Sequence, residues 1–570
     1  TCIMRHWLIA SLFVGGALGC SSSSSSTPTA SGVQIVGLED GTVEVTAQGR
    51  QIFALAGTGP VARTFREETS GAGVIEFERS DEVAYPLSVE SVTNENNRVT
   101  VEYVGEDRTA TLTAVVLDEE VSEFRLAFEG EADSVAVGVR CDEVGTFHGF
   151  GEQYNATNQR GEVFELYVNE QGNGRAGGGE VNEGNEHTTY FPMPYYIDAR
   201  GFGALFVTNR RVNVDLCASD TGIAWFEVVT GGEIRWRVFH GPTSLDVIRQ
   251  LGDLVGRPGA PPPWAYQLWL GSQGGRDVVL AEVDELEAAG VPASALWVQD
   301  WTGIRPNIEG GFGVQYLWEP KETCSGPEDV CYPEFGNMVA GLHDRGYKFL
   351  TYVNPFIVDP ASIGIEDPER FEPRFNAMAE GGLLVRDDEG DTYIARTDAN
   401  IPQQNGHPDF SREETVDFIR ESLARIVTTY DVDGWMADFG EYLPFDSVHF
   451  DGSSADERRN TFPVDWHRVV REALEQVRPD GDWASIARSG FTGVQAHAQI
   501  HWVGDQQTDW GELDGLPTVT PALINLGLAG QPFVSLDIAG FSVGAGPSTK
   551  ELYFRWTELG AFAPVMRTHQ

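Results

Sequence analysis

From about Gly32 to His240 apolar and polar residues alternate in short runs, such as Thr42-Val43-Glu44-Val45-Thr46 and Arg98-Val99-Thr100-Val101-Glu102-Tyr103-Val104. A period of two predicts strands with one buried face, and the frequent Gly, Asn and Asp between them predict tight turns. Helical periodicity is almost absent there, so the segment reads as an all-β sandwich. Inside it lies a Gly-rich insertion, from Gly149-Phe150-Gly151-Glu152-Gln153-Tyr154 to Gly179. No strand–turn–helix unit surrounds that insertion, which argues against a nucleotide-binding loop. A helix is predicted over Ser244 to Val255, and the breaker run Pro258 to Pro263 ends the sandwich domain, placing it at 33–257. Beyond, at 258–570, the pattern switches to strand and helix in turn. Strands are predicted at Ala265 to Leu270, Ala295 to Gln299, Lys348 to Val353 and Gly434 to Asp438. Four more follow at Trp483 to Ala487, Ile500 to Val503, Phe533 to Asp537 and Phe562 to Met566, with amphipathic helices such as Val278 to Ala289, Met338 to Arg345 and Glu413 to Thr429 between strands. Eight strands in roughly 300 residues fit a (β/α)8 barrel better than an open sheet. The sequence reaches Gln570 just after the eighth strand, so the last barrel helix and the region beyond are expected to be missing from it.

Composition narrows the function. The 570 residues are too many for one core, and 41% hydrophobic content with 14 Trp fits a packed globular protein. A formal charge of −47, from 86 acidic and 39 basic residues, disfavours a nucleic-acid or anionic-lipid binder, since both need a basic footprint. The lysines are Lys321, Lys348 and Lys550; arginine carries the rest of the positive charge. At the N-terminus Met4-Arg5-His6 precedes an apolar run from Trp7 to Leu18, too short to span a bilayer. The run ends at Ala17-Leu18-Gly19-Cys20, followed by a serine tract. This resembles a bacterial lipoprotein signal over residues 1–20, with lipid on Cys20 and a Ser-rich tether at 21–32. The expected location is therefore the cell envelope, periplasmic or at the surface; an ordinary secretory signal is the alternative. Export permits disulfides. Cys324 and Cys331 bracket a short loop that a bridge would clip, which leaves Cys141 and Cys217 to pair. Neither CxxC spacing nor nearby histidines support a zinc site, and no motif calls for a metal or cofactor.

The candidate chemistry sits where apolar strands end. Gly434-Trp435-Met436-Ala437-Asp438 and His501-Trp502-Val503-Gly504-Asp505 each end abruptly on a carboxylate. Asp300, Asp537 and Arg488 also occupy strand ends. In a parallel barrel these ends converge on one face, so residues far apart in sequence become neighbours. Two carboxylates there are the minimum for cutting a glycosidic bond, one at the anomeric carbon and one protonating the leaving oxygen. Arg488 is expected to keep a nucleophilic Asp438 ionised, and Trp502 and Val503 to desolvate Asp505 into a proton donor. Asp431-Val432-Asp433-Gly434 lacks the spaced ligands of a calcium loop and reads as a turn into a strand.

The run Gly434 to Pro444 resembles the nucleophile segment of glycoside hydrolase family 31, particularly its sulfoquinovosidase branch. Leu296 to Arg305, Ala487-Arg488-Ser489-Gly490, Trp502 to Gln506, Asp537-Ile538-Ala539-Gly540 and Met566-Arg567-Thr568-His569 match in the family's order. So does Gly151-Glu152-Gln153-Tyr154 with Glu170-Gln171-Gly172. The resemblance implies a β-sandwich followed by the barrel, and a retaining α-glycosidase with Asp438 as nucleophile and Asp505 as general acid and base. It implies that Gln299, Asp300 and Asp537 belong to the sugar site, with Arg488 and His569 around the reacting ring and Trp301 and Trp502 as subsite walls. The partner implied is an oligosaccharide or α-glycoside.

One departure bears on substrate. The sulfoquinovosidase branch grips a sulfonate with Arg, Trp and Tyr, where this chain has Gly313, Tyr316 and Phe541. Sulfonate binding needs charge-assisted donors, so a neutral α-hexoside or α-xyloside is expected to be preferred. An α-glucan lyase or a transglycosylase would use the same carboxylates and resolve the intermediate differently. A non-catalytic sugar-binding lipoprotein would need neither acid.

Overall fold

The computed structural model describes residues 32–171, 184–306, 312–362, 365, 367–396, 403–541 and 546–569. The expected leader, most of the tether and the 172–183 part of the Gly-rich insertion lie outside the described residues.

Alternating side chains build the first domain as two packed antiparallel sheets. One sheet runs from Val33–Gly37 through Val43–Ala47, Arg50–Leu55 and Ser134–Arg140 to Ile223–Val228, Val212–Asp215 and Val163–Leu166. A long hairpin, Val61–Gly71 with Ile75–Pro86, branches from the middle of the sheet, where Val61–Arg63 pairs with Ser134–Ala136. The other sheet carries His148–Gly151, Pro192–Asp198, Phe202–Phe206, Ile234–His240 and four meander strands between Ser88 and Glu129. Inward residues such as Val43, Val45, Val101, Phe124 and Trp236 are fully buried between them, and the Phe124 and Trp236 rings stack 5.1 Å apart.

A helix at Ser244–Val255, started by a Thr243/Asp246 capping box, leads out of the sandwich. The barrel then closes from eight parallel strands. In chain order these are β1 (Leu268–Ser272), β2 (Ala295–Val298), β3 (Lys348–Val353), β4 (Gly434–Ala437), β5 (Ala484–Ala487), β6 (Ile500–Trp502), β7 (Val534–Ile538) and β8 (Val565–Thr568). β8 pairs back onto β1. β2, β4 and β5 are buried at every residue, because helices cover their outer faces and neighbouring side chains fill the interior.

The expected strands are present, with β1 and β8 displaced by about three residues toward the C-terminus. Pro263–Tyr266 continues the breaker run as a 3-10 turn, which delays β1 to Leu268. The preceding helix runs to Gly560 and leaves Phe562 89% exposed in the turn, which delays β8 to Val565. Both expected disulfides are present, Cys141–Cys217 and Cys324–Cys331. Asp433, in the turn read as calcium-like, contacts Lys348 at 3.0 Å and His343 at 2.7 Å just before β4 begins, so it braces the end of the barrel away from the site. Among the described residues no helix is long and apolar enough to cross a membrane.

Candidate active site

The strand ends place the site residues together. Asp438 directly follows β4, Arg488 follows β5, Asp505 lies three residues past β6, and His569 follows β8. Arg488 is the hub, 1% exposed. Its Nη1 donates to Asp505 Oδ2 at 3.2 Å, and its Nη2 donates to Glu170 Oε2 at 3.0 Å and to Glu441. Its Nε lies 3.1 Å from Asp438 Oδ1, an ionic contact whose N–H is not aimed at the oxygen. The guanidinium also lies 4.1 Å from the Phe439 ring centroid and 4.6 Å from that of Tyr190, which confines it from its faces.

Asp438 is held from the barrel side. The Tyr352 hydroxyl donates to its Oδ2 at 2.5 Å and the Phe439 amide donates to its Oδ1 at 2.8 Å. Phe439 itself sits at φ 60°, a strained value for a bulky residue. Burial raises the Asp438 carboxyl above the ordinary aspartate range, opposed by Arg488 and then by the Tyr352 hydrogen bond. Tyr352→Phe is accordingly expected to raise that pKa further, because it deletes a donor to the charged form. The acid limb of the kcat/KM profile should then move to higher pH; an unmoved limb would show that the hydroxyl does not tune Asp438.

The expected pairing of Arg488 with Asp438 is present, but the arginine is shared by four carboxylates rather than one. Asp505 is half-buried and rests on the same guanidinium, so charge pairing acts on it alongside the expected desolvation. Asp300 is 1% exposed and already engaged: Gly274 N–H donates to Oδ2 at 2.7 Å and the Tyr332 hydroxyl donates to Oδ1. Burial raises its pKa, opposed by the Tyr332 bond. Gln299 is half-buried and accepts from Gln273 Nε2 at 2.7 Å. Asp537 is fully buried against Arg567. The half-buried His569 ring lies 5.2 Å from Trp297 and 4.9 Å from Phe541.

Trp301 and Trp502, the two expected walls, are as deeply buried as Asp300 and Arg488, at 0% and 1% exposed. The Trp301 indole donates to the Tyr352 carbonyl at 2.8 Å and packs on Phe335, so it supports the strand carrying Tyr352. Trp502 packs inside the barrel, 5.9 Å from the Arg567 guanidinium.

Sequence reasoning passed over Tyr352, Glu170 and Glu441. A tyrosine one residue before the end of the strand Lys348–Val353 was a signal for the first. Glu170 and Glu441 stood inside quoted motifs without a role, because only the fold brings the sandwich insertion to the barrel mouth. Among the described residues no group of three or more His, Cys, Asp or Glu could hold a metal ion.

Residues 258–570 match the Glycosyl hydrolases family 31 TIM-barrel domain. The chain is 30% identical over 436 residues to the sulfoquinovosidase of Escherichia coli K12, covering 74% of this chain and 60% of that protein. It is 30% identical over 439 residues to the sulfoquinovosidase of Agrobacterium fabrum, covering 74% and 61%. A 1,3-alpha-isomaltosidase of Kribbella flavida is 28% identical over 435 residues, covering 74% and 56%. The chain thus spans about three-fifths of the length of these relatives. In fold it is similar to a GH31 family sulfoquinovosidase from E. rectale, with a TM-score of 0.81 at 24% identity over 94% of this chain and 78% of that one. The matched barrel, the order of its motifs and the shared architecture agree, and the chain belongs to glycoside hydrolase family 31.

Proposed function

We propose that this chain hydrolyses terminal α-glycosides by double displacement. The observation that carries the reading is the pair of carboxylates after β4 and β6, Asp438 and Asp505, bridged by one buried guanidinium. Asp438 attacks the anomeric carbon while Asp505 protonates the departing oxygen, giving a glycosyl-enzyme and a free leaving group. Asp505, now a carboxylate, takes a proton from water as the water oxygen attacks the same carbon, which releases Asp438 and a sugar of retained configuration. A lyase or transglycosylase would share the first step. Free sugar with the α-anomer formed first, seen by NMR during the reaction, supports hydrolysis; an anhydro-sugar or a transfer product as the main outcome defeats it.

The preferred substrate is proposed to be a neutral α-hexoside or α-xyloside. Gly313 has no side chain to offer. Tyr316 is buried 5.4 Å from Phe356 and 5.7 Å from Phe439, ring centroid to centroid, and Phe541 packs edge-on against His569. Those positions supply aromatic surface where an anion needs charged donors, and each lost charge-assisted contact costs about 1.5–3 kcal/mol. Arg305 is the cation to test. It pairs with Gly313 across the Ile304–Pro306 and Phe312–Val314 hairpin, with its guanidinium 5.2 Å from the Tyr316 ring. On a panel of aryl α-glycosides, the α-glucoside or α-xyloside is expected to exceed the α-sulfoquinovoside in kcat/KM by roughly tenfold or more. The reverse order would show that charge recognition persists, and Arg305→Gln would then show whether this arginine supplies it.

A further inference from the structure

Glu170 belongs to the sandwich domain, yet its carboxylate lies in the charge cluster of the barrel, 3% exposed. The backbone around it is pinned from several sides. Its amide donates to Gly73 O at 2.9 Å, at the tip of the long hairpin, and Ile75 N donates to Asn169 Oδ1 at 3.1 Å. Two residues earlier, Val168 N donates to Asn460 Oδ1 of the barrel at 2.9 Å. The Tyr190 hydroxyl donates to Glu170 Oε1 at 2.8 Å, which leaves Oε2 facing Arg488 Nη2. Glu441 meets the same Nη2, but it lies three residues beyond Asp438 on the same loop, so it brings no contact from outside the barrel.

We propose that Glu170 is a positioning residue, which fixes the Arg488 guanidinium so that Nε faces Asp438 and Nη1 faces Asp505 together. A guanidinium turns freely about its last side-chain bonds unless its far nitrogen is anchored. With Nη2 held from the sandwich side, Nη1 donates to Asp505 while Nε stays in ionic contact with Asp438, so the guanidinium collapses onto neither carboxylate. Sharing Arg488 with Glu170 also leaves Asp438 less fully neutralised, hence more basic as a nucleophile. This role rests on Asp438 being the nucleophile.

The test is Glu170→Gln in the full chain, assayed across pH on an aryl α-glycoside. The groups facing Glu170 or its guanidinium partner are Arg488, Glu441, Asp438, Asp505, Tyr190 and the buried Glu152. The expected result is a fall in kcat of roughly 10- to 100-fold, the scale of a small misplacement of reacting groups, with little change in KM. The acid limb of kcat/KM should move to lower pH, because losing a nearby negative charge lets Arg488 hold Asp438 ionised more strongly. Wild-type kcat, or reduced kcat with an unmoved acid limb, overturns the proposal. If Glu170→Gln does not fold, Tyr190→Phe removes the donor that orients Glu170 while keeping its charge. A smaller fall in kcat at unchanged KM supports the role, and unchanged kcat overturns it. An active Asp438→Asn enzyme would defeat the nucleophile assignment itself, whereas an inactive one beside an unaffected Glu170→Gln defeats only the positioning role.

Discussion

Replacing Asp438 by asparagine is expected to lower turnover by on the order of 10^4-fold or more while the protein stays folded. An amide has the shape of the carboxylate but cannot form the glycosyl ester, so the covalent route closes. Its carbonyl oxygen can still accept one of the bonds from the Tyr352 hydroxyl or the Phe439 amide. Stability should not fall, because Asp438 is a carboxylate that burial already disfavours in its charged form. The check is thermal unfolding of the variant beside labelling of the parent with a mechanism-based α-glycosyl fluoride. The label should sit on Asp438; a label on another residue removes the assignment.

Arg488→Met should cost about 3–5 kcal/mol of stability at neutral pH, along with the activity. Methionine approximates the length of the side chain but removes the cation shared by Glu170, Asp438, Glu441 and Asp505. Burial already raises Asp438 and raises Glu441 well above the ordinary carboxylate range, and in both Arg488 is the principal opposing influence. Without it these folded-state pKa values rise further above their unfolded values near 4. The folded variant then binds more protons than the unfolded chain, so its stability falls as pH rises through that interval and recovers on acidification. Urea unfolding at pH 5 and pH 7 should show the variant closing part of its deficit at the lower pH. A variant as stable as the parent at pH 7 would mean that the cluster is neutral without its arginine.

The barrel was legible because its strands are buried on both faces and stand out as short apolar runs that end on charge, as Gly434 to Asp438 does. Alternation exposed much of the sandwich for the complementary reason: one face of strands such as Val33–Gly37 meets the core, although Pro192–Asp198 and Phe202–Phe206 are buried on both faces. Strand ends moved where the chain kept to a local preference, the proline-started 3-10 turn before β1 and the long helix before β8. Acids after strands were found by that position alone, since a barrel gathers those ends whatever lies between. What a residue touches was less accessible. Trp301 reads as a wall beside Asp300, and only the fold shows that its indole N–H also holds the Tyr352 carbonyl. Tyr352 itself precedes the end of its strand by one residue, and its role appears only when β3 is laid beside β4. Glu170 lies 318 positions from the arginine it meets, a distance no local pattern spans.

Arg459 carries a consequence for how such a protein can be recombined. It is fully buried, and its guanidinium donates to Ala72 O at 3.0 Å, Gly73 O at 3.2 Å, Val168 O at 3.2 Å and Leu443 O. Three of those carbonyls belong to the sandwich and the fourth to the loop that follows Asp438. A cation satisfied by main-chain oxygens of two domains does not depend on the identity of their side chains, only on where both backbones run. A foreign sandwich joined to this barrel would therefore have to reproduce a hairpin tip and an insertion at matching positions, or leave a buried charge with Leu443 O in place of four acceptors. Architecture divides the chain near residue 257, but the heritable unit, the stretch that can be exchanged without loss, is both domains together.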